Sequence, residues 1–131
     1  MVQITRRTDA AGVVQYLLAP DTASNRAILE ALRSWSRTAS LATFAAERHG
    51  FGNSDGGFGV NYPGDLDADE REAAALEDGL VMVYGFFGPP DGYELTVPES
   101  QYLECLAAFL DANALGADAA CVRALRPGGT G

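Results

Sequence analysis

Apolar residues recur along this chain with different spacings, and the spacing distinguishes strands from helices. Residues 2–8 alternate around Val2 and Ile4, a turn follows, and residues 13–18 form a second run, which predicts an N-terminal hairpin. Residues 80–87 are apolar on both faces, which is typical of a central strand covered on both sides or of a strand with one face in an interface. Residues 93–97 alternate after a Gly-Pro-Pro-Asp-Gly turn, so we expect them to return as an antiparallel neighbour.

Five segments carry helical signals. The clearest begins at Pro98 and stops before Gly116, because proline is favoured at the first position of a helix and glycine just after the last. Asp67 and Glu70 have the spacing of a capping box, in which each side chain accepts a hydrogen bond from the other residue's backbone amide. The predicted helices are residues 23–36, 40–49, 67–78, 98–115 and 117–126.

These elements predict a single α+β domain over residues 1–126, followed by a loose tail at 127–131. We expect a small antiparallel sheet of about four strands, formed by the two hairpins and packed by four or five helices. The length of 131 residues allows an ordinary hydrophobic core. It is too short for an (α/β)-barrel or a complete dinucleotide-binding enzyme.

A glycine-rich segment, residues 50–64, interrupts this pattern. It contains six glycines and a proline, which disfavour a helix, and three aromatic residues, which are unusual in a flexible linker. Long loops of this kind inside a domain are often functional. The aromatic side chains are candidate anchors for a partner and two polar side chains are candidate contacts; the alternative is a connecting loop whose aromatics pack into the core. These candidates are Phe51, Phe58, Tyr62, Asn53 and Asp55.

Charge is the strongest compositional signal. The chain has 18 acidic and 9 basic residues, a net charge of −9 and a sequence pI near 4.3, and every basic residue is arginine. Such a field repels phosphate backbones and anionic lipid surfaces, so we expect no direct binding to nucleic acid or membrane. It favours a basic partner, although solubility alone also explains it. The Ala, Gly, Asp and Arg bias without Lys is typical of GC-rich bacterial genomes.

Seven of the acids fall in residues 65–78, with Arg71 as the one basic residue among them. On a helical wheel they spread all round, as expected for a solvated helix, and the functional alternative is a docking patch for a basic protein. A calcium-binding loop starting at Asp65 is excluded because Glu70 stands where glycine is needed and Leu76 where a bidentate glutamate is needed. The candidate patch is Asp65, Asp67, Asp69, Glu70, Glu72, Glu77 and Asp78.

Catalytic signals are weak. The run from Gly52 to Gly56 matches Gly-x-Ser-x-Gly, but a helix precedes it, and the single histidine, His49, lies upstream of Ser54 where the motif needs it downstream. The absence of lysine excludes a phosphate-binding loop of the Gly-Lys-Ser/Thr type. A small enzyme using Ser54, Asp55 or His49 is therefore an alternative rather than the main hypothesis.

The two cysteines, Cys105 and Cys121, are too few for a disulfide framework or a zinc site, and Cys105 falls on a buried helical stripe. The N-terminus has no apolar run after its charged residues, and no stretch is long enough to span a membrane. These features predict that the protein is cytoplasmic and that it binds no metal and no cofactor.

The sequence thus favours a non-enzymatic acidic module that binds a basic protein. By comparison of charge and size, an immunity protein that inhibits a basic nuclease-type toxin is one specific form of this hypothesis. The alternatives are the small enzyme with its site in residues 50–64, and a homodimer or larger homo-oligomer built through residues 80–87.

Overall fold

A computed structural model describes residues 2–53, 57–85 and 92–125, without the side chain of Asn53. Within these ranges the chain forms two antiparallel sheets and five α-helices, so the expected α+β class is confirmed. Phe86 and Phe87 of the predicted strand 80–87, and the predicted tail 127–131, lie outside the described residues. The strands are β1 (Gln3–Thr8), β2 (Val14–Ala19), β3 (Phe51–Asn53), β4 (Phe58–Asn61), β5 (Leu80–Gly85) and β6 (Tyr93–Pro98).

The helices lie where their sequence patterns place them but are shorter. Thr22 caps the first, where its side chain accepts a hydrogen bond from the amide of Asn25 at 3.2 Å. The helix expected over 40–49 begins instead with a 3-10 turn, Thr38–Ser40, and a second 3-10 turn, Pro63–Asp65, precedes the acidic helix. The α-helices are α1 (Ala23–Ser34), α2 (Leu41–Glu47), α3 (Ala68–Ala74), α4 (Glu99–Ala112) and α5 (Gly116–Arg123).

The two predicted hairpins do not join into one sheet. β1 and β2 form a separate two-stranded sheet, whereas β5 and β6 belong to a four-stranded sheet in the order β3-β4-β5-β6. The glycine-rich segment supplies β3 and β4, so the expectation that residues 50–64 form an irregular loop is wrong for those strands.

The glycines of these strands make room for an aromatic ring. In the sheet register Gly59 lies opposite Gly52 on one side and Tyr84 on the other. A Cβ atom on Gly59 would collide with the Cζ and Oη atoms of Tyr84, and one on Gly52 would lie 2.6 Å from that oxygen. The phenol end of Tyr84 therefore lies on the backbone of β4 and β3, where larger residues would leave it no space.

The main core lies on one face of the four-stranded sheet. Val81 and Val83 of β5 are fully buried on this inner face, where α1 packs against β4 and β5. On the outer face Met82 is buried but lies outside the main core, as does Leu76, which follows α3. β5 is thus a central strand between β4 and β6, and buried apolar side chains lie on both of its faces.

Candidate functional site

The acidic run lies at the surface around α3, except for one member. Asp67 and Glu70 form the expected capping box: the Asp67 carboxylate accepts from the Glu70 amide at 2.8 Å, and the Glu70 carboxylate accepts from the Asp67 amide at 3.3 Å. Asp78 pairs with Arg71 at 3.3 Å. The exposed acids of this run are Asp67, Asp69, Glu70, Glu72, Glu77 and Asp78.

Asp65 is the exception, because its carboxylate is used inside the fold. One oxygen accepts hydrogen bonds from the amides of Gly50 at 2.8 Å and Tyr62 at 2.7 Å. The other lies 2.9 Å from Nδ1 of His49. Asp65 therefore links the start of β3 to the end of β4, and the exposed acids of the run are the ones that a partner can reach.

Most candidate anchors of the glycine-rich segment face inward. Phe51 belongs to the main core, where its ring packs against Trp35 with centroids 5.2 Å apart. Tyr62 is 1% exposed, and Phe58 is half-buried against the core. Neither Phe51 nor Tyr62 can contact a partner without a rearrangement of the sheet. The Asn53 side chain and Asp55 lie outside the described residues.

His49 has a carboxylate neighbour but not the one considered from the sequence. Its side chain is 61% exposed and bonds to Asp65, while its ring packs edge-on against Phe44 with centroids 5.8 Å apart. Ser54 and Asp55 lie outside the described residues, and neither of the two cavities described below is lined by His49. The small enzyme with its site in residues 50–64 therefore stays a prediction, because two of its three proposed residues lie outside the described part of the chain.

A buried ion pair lies next to this network. Glu99 is 2% exposed and accepts two hydrogen bonds from the Arg48 guanidinium, at 3.0 and 3.3 Å. Arg48 also lies over the Tyr62 ring, 5.9 Å from its centroid, and Tyr62 packs edge-on against Tyr102. Burial raises the pKa of Tyr62 and of Tyr102, and the negative charge of Glu99 adds to the effect on Tyr62. Both groups are neutral phenols, and among the described residues the buried Tyr62 hydroxyl has no hydrogen-bond partner.

The outer face of the sheet contributes a cleft that the sequence did not reveal. It has a volume of about 440 Å³, within the range of roughly 300–1,000 Å³ that is usual for ligand pockets. One wall comes from α3 and the segment before it, and the other comes from β4, β5 and β6. We call it the α3 cleft; its lining residues are Asn61, Leu66, Glu70, Ala73, Ala74, Met82, Tyr84 and Glu94.

The α3 cleft combines an apolar interior with acidic groups on opposite walls. Met82 and the two alanines of α3 give it apolar surface, while Glu70 stands on the helix side and Glu94 on the sheet side. Glu94 lies directly opposite Tyr84 in the β5–β6 register. Both glutamates are exposed, and the five other exposed acids of the run 65–78 continue the negative surface around the helix.

Sequence reasoning missed Glu94, Tyr84 and Met82 as site residues. The alternation of β5 put Met82 and Tyr84 on one face, and pairing with residues 93–97 would have placed Glu94 beside them. No sequence signal showed that α3 folds back over this face, because its exposed surface carries acids on all sides.

A second cavity of about 330 Å³ lies where α4 and α5 meet the start of the chain. At its edge the Val2 amide donates to a Glu104 carboxylate oxygen at 2.6 Å. Nothing at this cavity repeats the convergence of exposed acids found at the α3 cleft.

None of the helices in the described part of the chain has the length and apolar character of a membrane span. Within those same residues, no three His, Cys, Asp or Glu side chains converge to form a possible metal site. Comparisons of this chain with models of protein families, with curated proteins and with solved structures find no match.

Proposed function

We propose that this protein is a non-enzymatic module that binds a basic protein through the α3 cleft. The observation that carries the proposal is the convergence of Glu70 and Glu94 on an apolar cleft beside a run of exposed acids. An apolar cavity with a few convergent charged groups is the usual form of a recognition site. The surrounding acids would steer a basic partner towards it and raise the association rate.

Two features support binding rather than catalysis. The acids in the cleft are exposed, and the capping box of Asp67 and Glu70 fixes the helix that carries one of them. The buried Arg48–Glu99 pair and the carboxylate of Asp65 are occupied by partners in the fold. A nuclease-type toxin, whose active site is basic, is the specific partner class that the charge favours, and inhibition by an immunity protein is the corresponding activity.

A titration with a basic peptide tests this proposal. The probe is a nine-residue peptide that alternates arginine or lysine with serine, added to the full chain at 50 mM and 500 mM salt. We expect measurable binding at low salt and at least about tenfold weaker binding at high salt. The Debye screening length falls from about 10 Å at 0.1 M salt to about 3 Å at 1 M, so high salt weakens the attraction between exposed charges. Absent binding, or an affinity that does not change with salt, would contradict the proposal.

Two double variants that remove equal charge distinguish binding at the cleft from a general effect of net charge. Glu70→Gln with Glu94→Gln removes both cleft charges, and glutamine at position 70 can keep the capping box. Glu47→Gln with Asp118→Asn removes two charges from α2 and α5, which pack against each other. We expect about fivefold to thirtyfold weaker binding for the cleft pair, equivalent to about 1–2 kcal/mol, and little change for the control pair. An equal loss of affinity in both double variants would show that binding depends on net charge alone and not on the cleft.

A further inference from the structure

The N-terminal hairpin has a strand edge with which no other strand of the described chain pairs. β1 and β2 form a two-stranded sheet, so among the described residues β2 pairs with β1 alone. Tyr16 holds the hairpin on α4, because its ring packs against Phe109 with centroids 5.3 Å apart and its hydroxyl donates to Asn113 at 3.0 Å. An edge strand presents a row of backbone amides and carbonyls that is a template for pairing with another chain.

The hydrogen bond that closes the hairpin fixes which backbone groups face this edge. The Asp9 amide donates to the Val13 carbonyl oxygen at 3.0 Å. Bonded and non-bonded residue pairs alternate along an antiparallel ladder, so every second pair beyond this one is bonded across the hairpin. The residues of β2 between the bonded pairs direct their amides and carbonyls away from β1. These residues are Val14, Tyr16 and Leu18.

β2 also lacks the features that usually protect an edge strand. Its sequence is Val-Gln-Tyr-Leu-Leu-Ala, with no charged residue and no proline, whereas β1 carries two arginines and β6 carries a glutamate. Charges and prolines on edge strands prevent unwanted pairing in natural proteins. The large hydrophobic side chains that are exposed in the described part of the chain lie here, Leu17 on the solvent face of β2 and Val13 just before it, 47% and 56% exposed.

A second copy of this chain fits this edge better than a charged partner does. Copies with a net charge of −9 repel each other, so they can approach only where no carboxylate faces another. β2 meets this condition. The neighbouring charges do not oppose the approach, because Arg6 lies on β1 and Arg33, which lies over the Tyr16 ring at 5.2 Å, has Glu30 at 3.9 Å. A charged partner of either sign finds no counter-charge on β2 itself.

We propose that two copies of this chain pair antiparallel through β2, which joins their hairpins into a four-stranded sheet in the order β1-β2-β2-β1. With Tyr16 opposite its own counterpart, Val14 of each copy lies opposite Leu18 of the other, and every outward amide and carbonyl of the two strands finds a partner. On the solvent face, Leu17 then lies diagonally from its counterpart, at about 7–8 Å, which brings exposed apolar surface together. No residue of the α3 cleft takes part, so this inference goes beyond the proposed function.

Sedimentation velocity of the full chain tests the pairing. The protein concentration is varied from about 10 µM to about 1 mM, because a contact of this size is weak. We expect a monomer–dimer equilibrium that is at least about twofold tighter at 500 mM than at 50 mM salt, since salt screens the repulsion between two acidic chains. A monomer at every concentration in both salts would overturn the inference, and it would leave binding of a basic protein at the α3 cleft intact.

A pair of lysine variants distinguishes β2 from the rest of the surface. Leu17→Lys puts a charge on the solvent face of β2 close to its own counterpart, and it should weaken the dimer at least about tenfold. Thr5→Lys is the control, because Thr5 is exposed directly opposite Leu17 but on β1. It should change the dimer affinity by less than about twofold, and circular dichroism should show an unchanged fold for both variants. Equal effects of the two substitutions would contradict pairing through β2.

Amide hydrogen exchange locates the paired edge residue by residue. The amides of Tyr16 and Leu18 should exchange more slowly as the protein concentration rises, because the second copy accepts their hydrogen bonds. The amides of Gln15 and Leu17 are bonded within the hairpin in the monomer as well, so their exchange should change less. Protection that rises with concentration in β5 instead of β2 would place the contact on another strand and would refute the inference.

Discussion

Arg48 adopts a left-handed backbone conformation, with φ of 52°, at the end of α2 where glycine is the usual residue. Such a conformation costs a non-glycine residue roughly 1–2 kcal/mol. The side chain explains why it is retained, because its guanidinium is the hydrogen-bonded counterion of the buried Glu99. The predicted helix 40–49 extends past this residue, because no local pattern shows that residue 48 pairs with a residue 51 positions later.

Neutralising Glu99 should destabilise the protein more than neutralising an exposed acid. Loss of one partner of a buried pair costs about 3–5 kcal/mol, and we expect about 2–3 kcal/mol for Glu99→Gln because Arg48 keeps some contact with solvent. Glu47→Gln, on the exposed surface of α2, should change the free energy of unfolding by no more than about 0.5 kcal/mol. Urea denaturation measures both, and equal midpoints for the two variants would show that the ion pair adds nothing.

At the scale of elements, the glycine-rich segment is where sequence reasoning failed. Its composition excluded a helix correctly, but β propensity is low for glycine, so two short strands had no local signal. The strands form because Gly59 lets the Tyr84 ring approach the backbone and because Asp65 binds the amides of Gly50 and Tyr62. Both reasons involve residues distant in sequence, so they become visible only in the folded chain.

Gly50 should not tolerate alanine, although it needs no unusual backbone angle. An added Cβ would collide with the Val60 carbonyl oxygen and would lie 2.7 Å from the Asp65 carboxylate. We expect Gly50→Ala to lower the free energy of unfolding by about 2–3 kcal/mol, as overpacking usually does. Gly64→Ala is the control in the same segment, because its Cβ would meet no atom within 4 Å. If thermal melting shows equal stability for the two variants, the proposed contact of Asp65 with Gly50 is not structurally important.

The capping box should control the stability of α3, which is only seven residues long. Asp67→Ala removes the side chain that accepts a hydrogen bond from the Glu70 amide, and should lower the stability of the helix by about 1 kcal/mol. This loss is equivalent to about fivefold faster amide hydrogen exchange within the helix. Glu72→Ala, an exposed position on the same helix, should leave the exchange rates nearly unchanged. If exchange within α3 is unaffected by Asp67→Ala, the cap does not hold this wall of the α3 cleft.

At the scale of the whole molecule, composition predicted an acidic surface but not where its charges converge. The run 65–78 is visible in the sequence, and the capping box at Asp67 was predicted correctly. Glu94 joins this surface only because β6 pairs with β5 and α3 folds over the outer face of the sheet. The long-range packing of a polar helix leaves little trace in hydrophobic patterning, so the cleft could not be predicted.

The most direct test of the account is to map where a basic ligand contacts the full chain. Amide chemical shifts are followed by NMR during titration with the nine-residue basic peptide at 50 mM salt. We expect the largest shifts in α3 and at Met82, Tyr84 and Glu94, small shifts in the β1–β2 hairpin, and reversal of the changes at 500 mM salt. Shifts spread evenly over all acidic segments, or concentrated away from the α3 cleft, would contradict it.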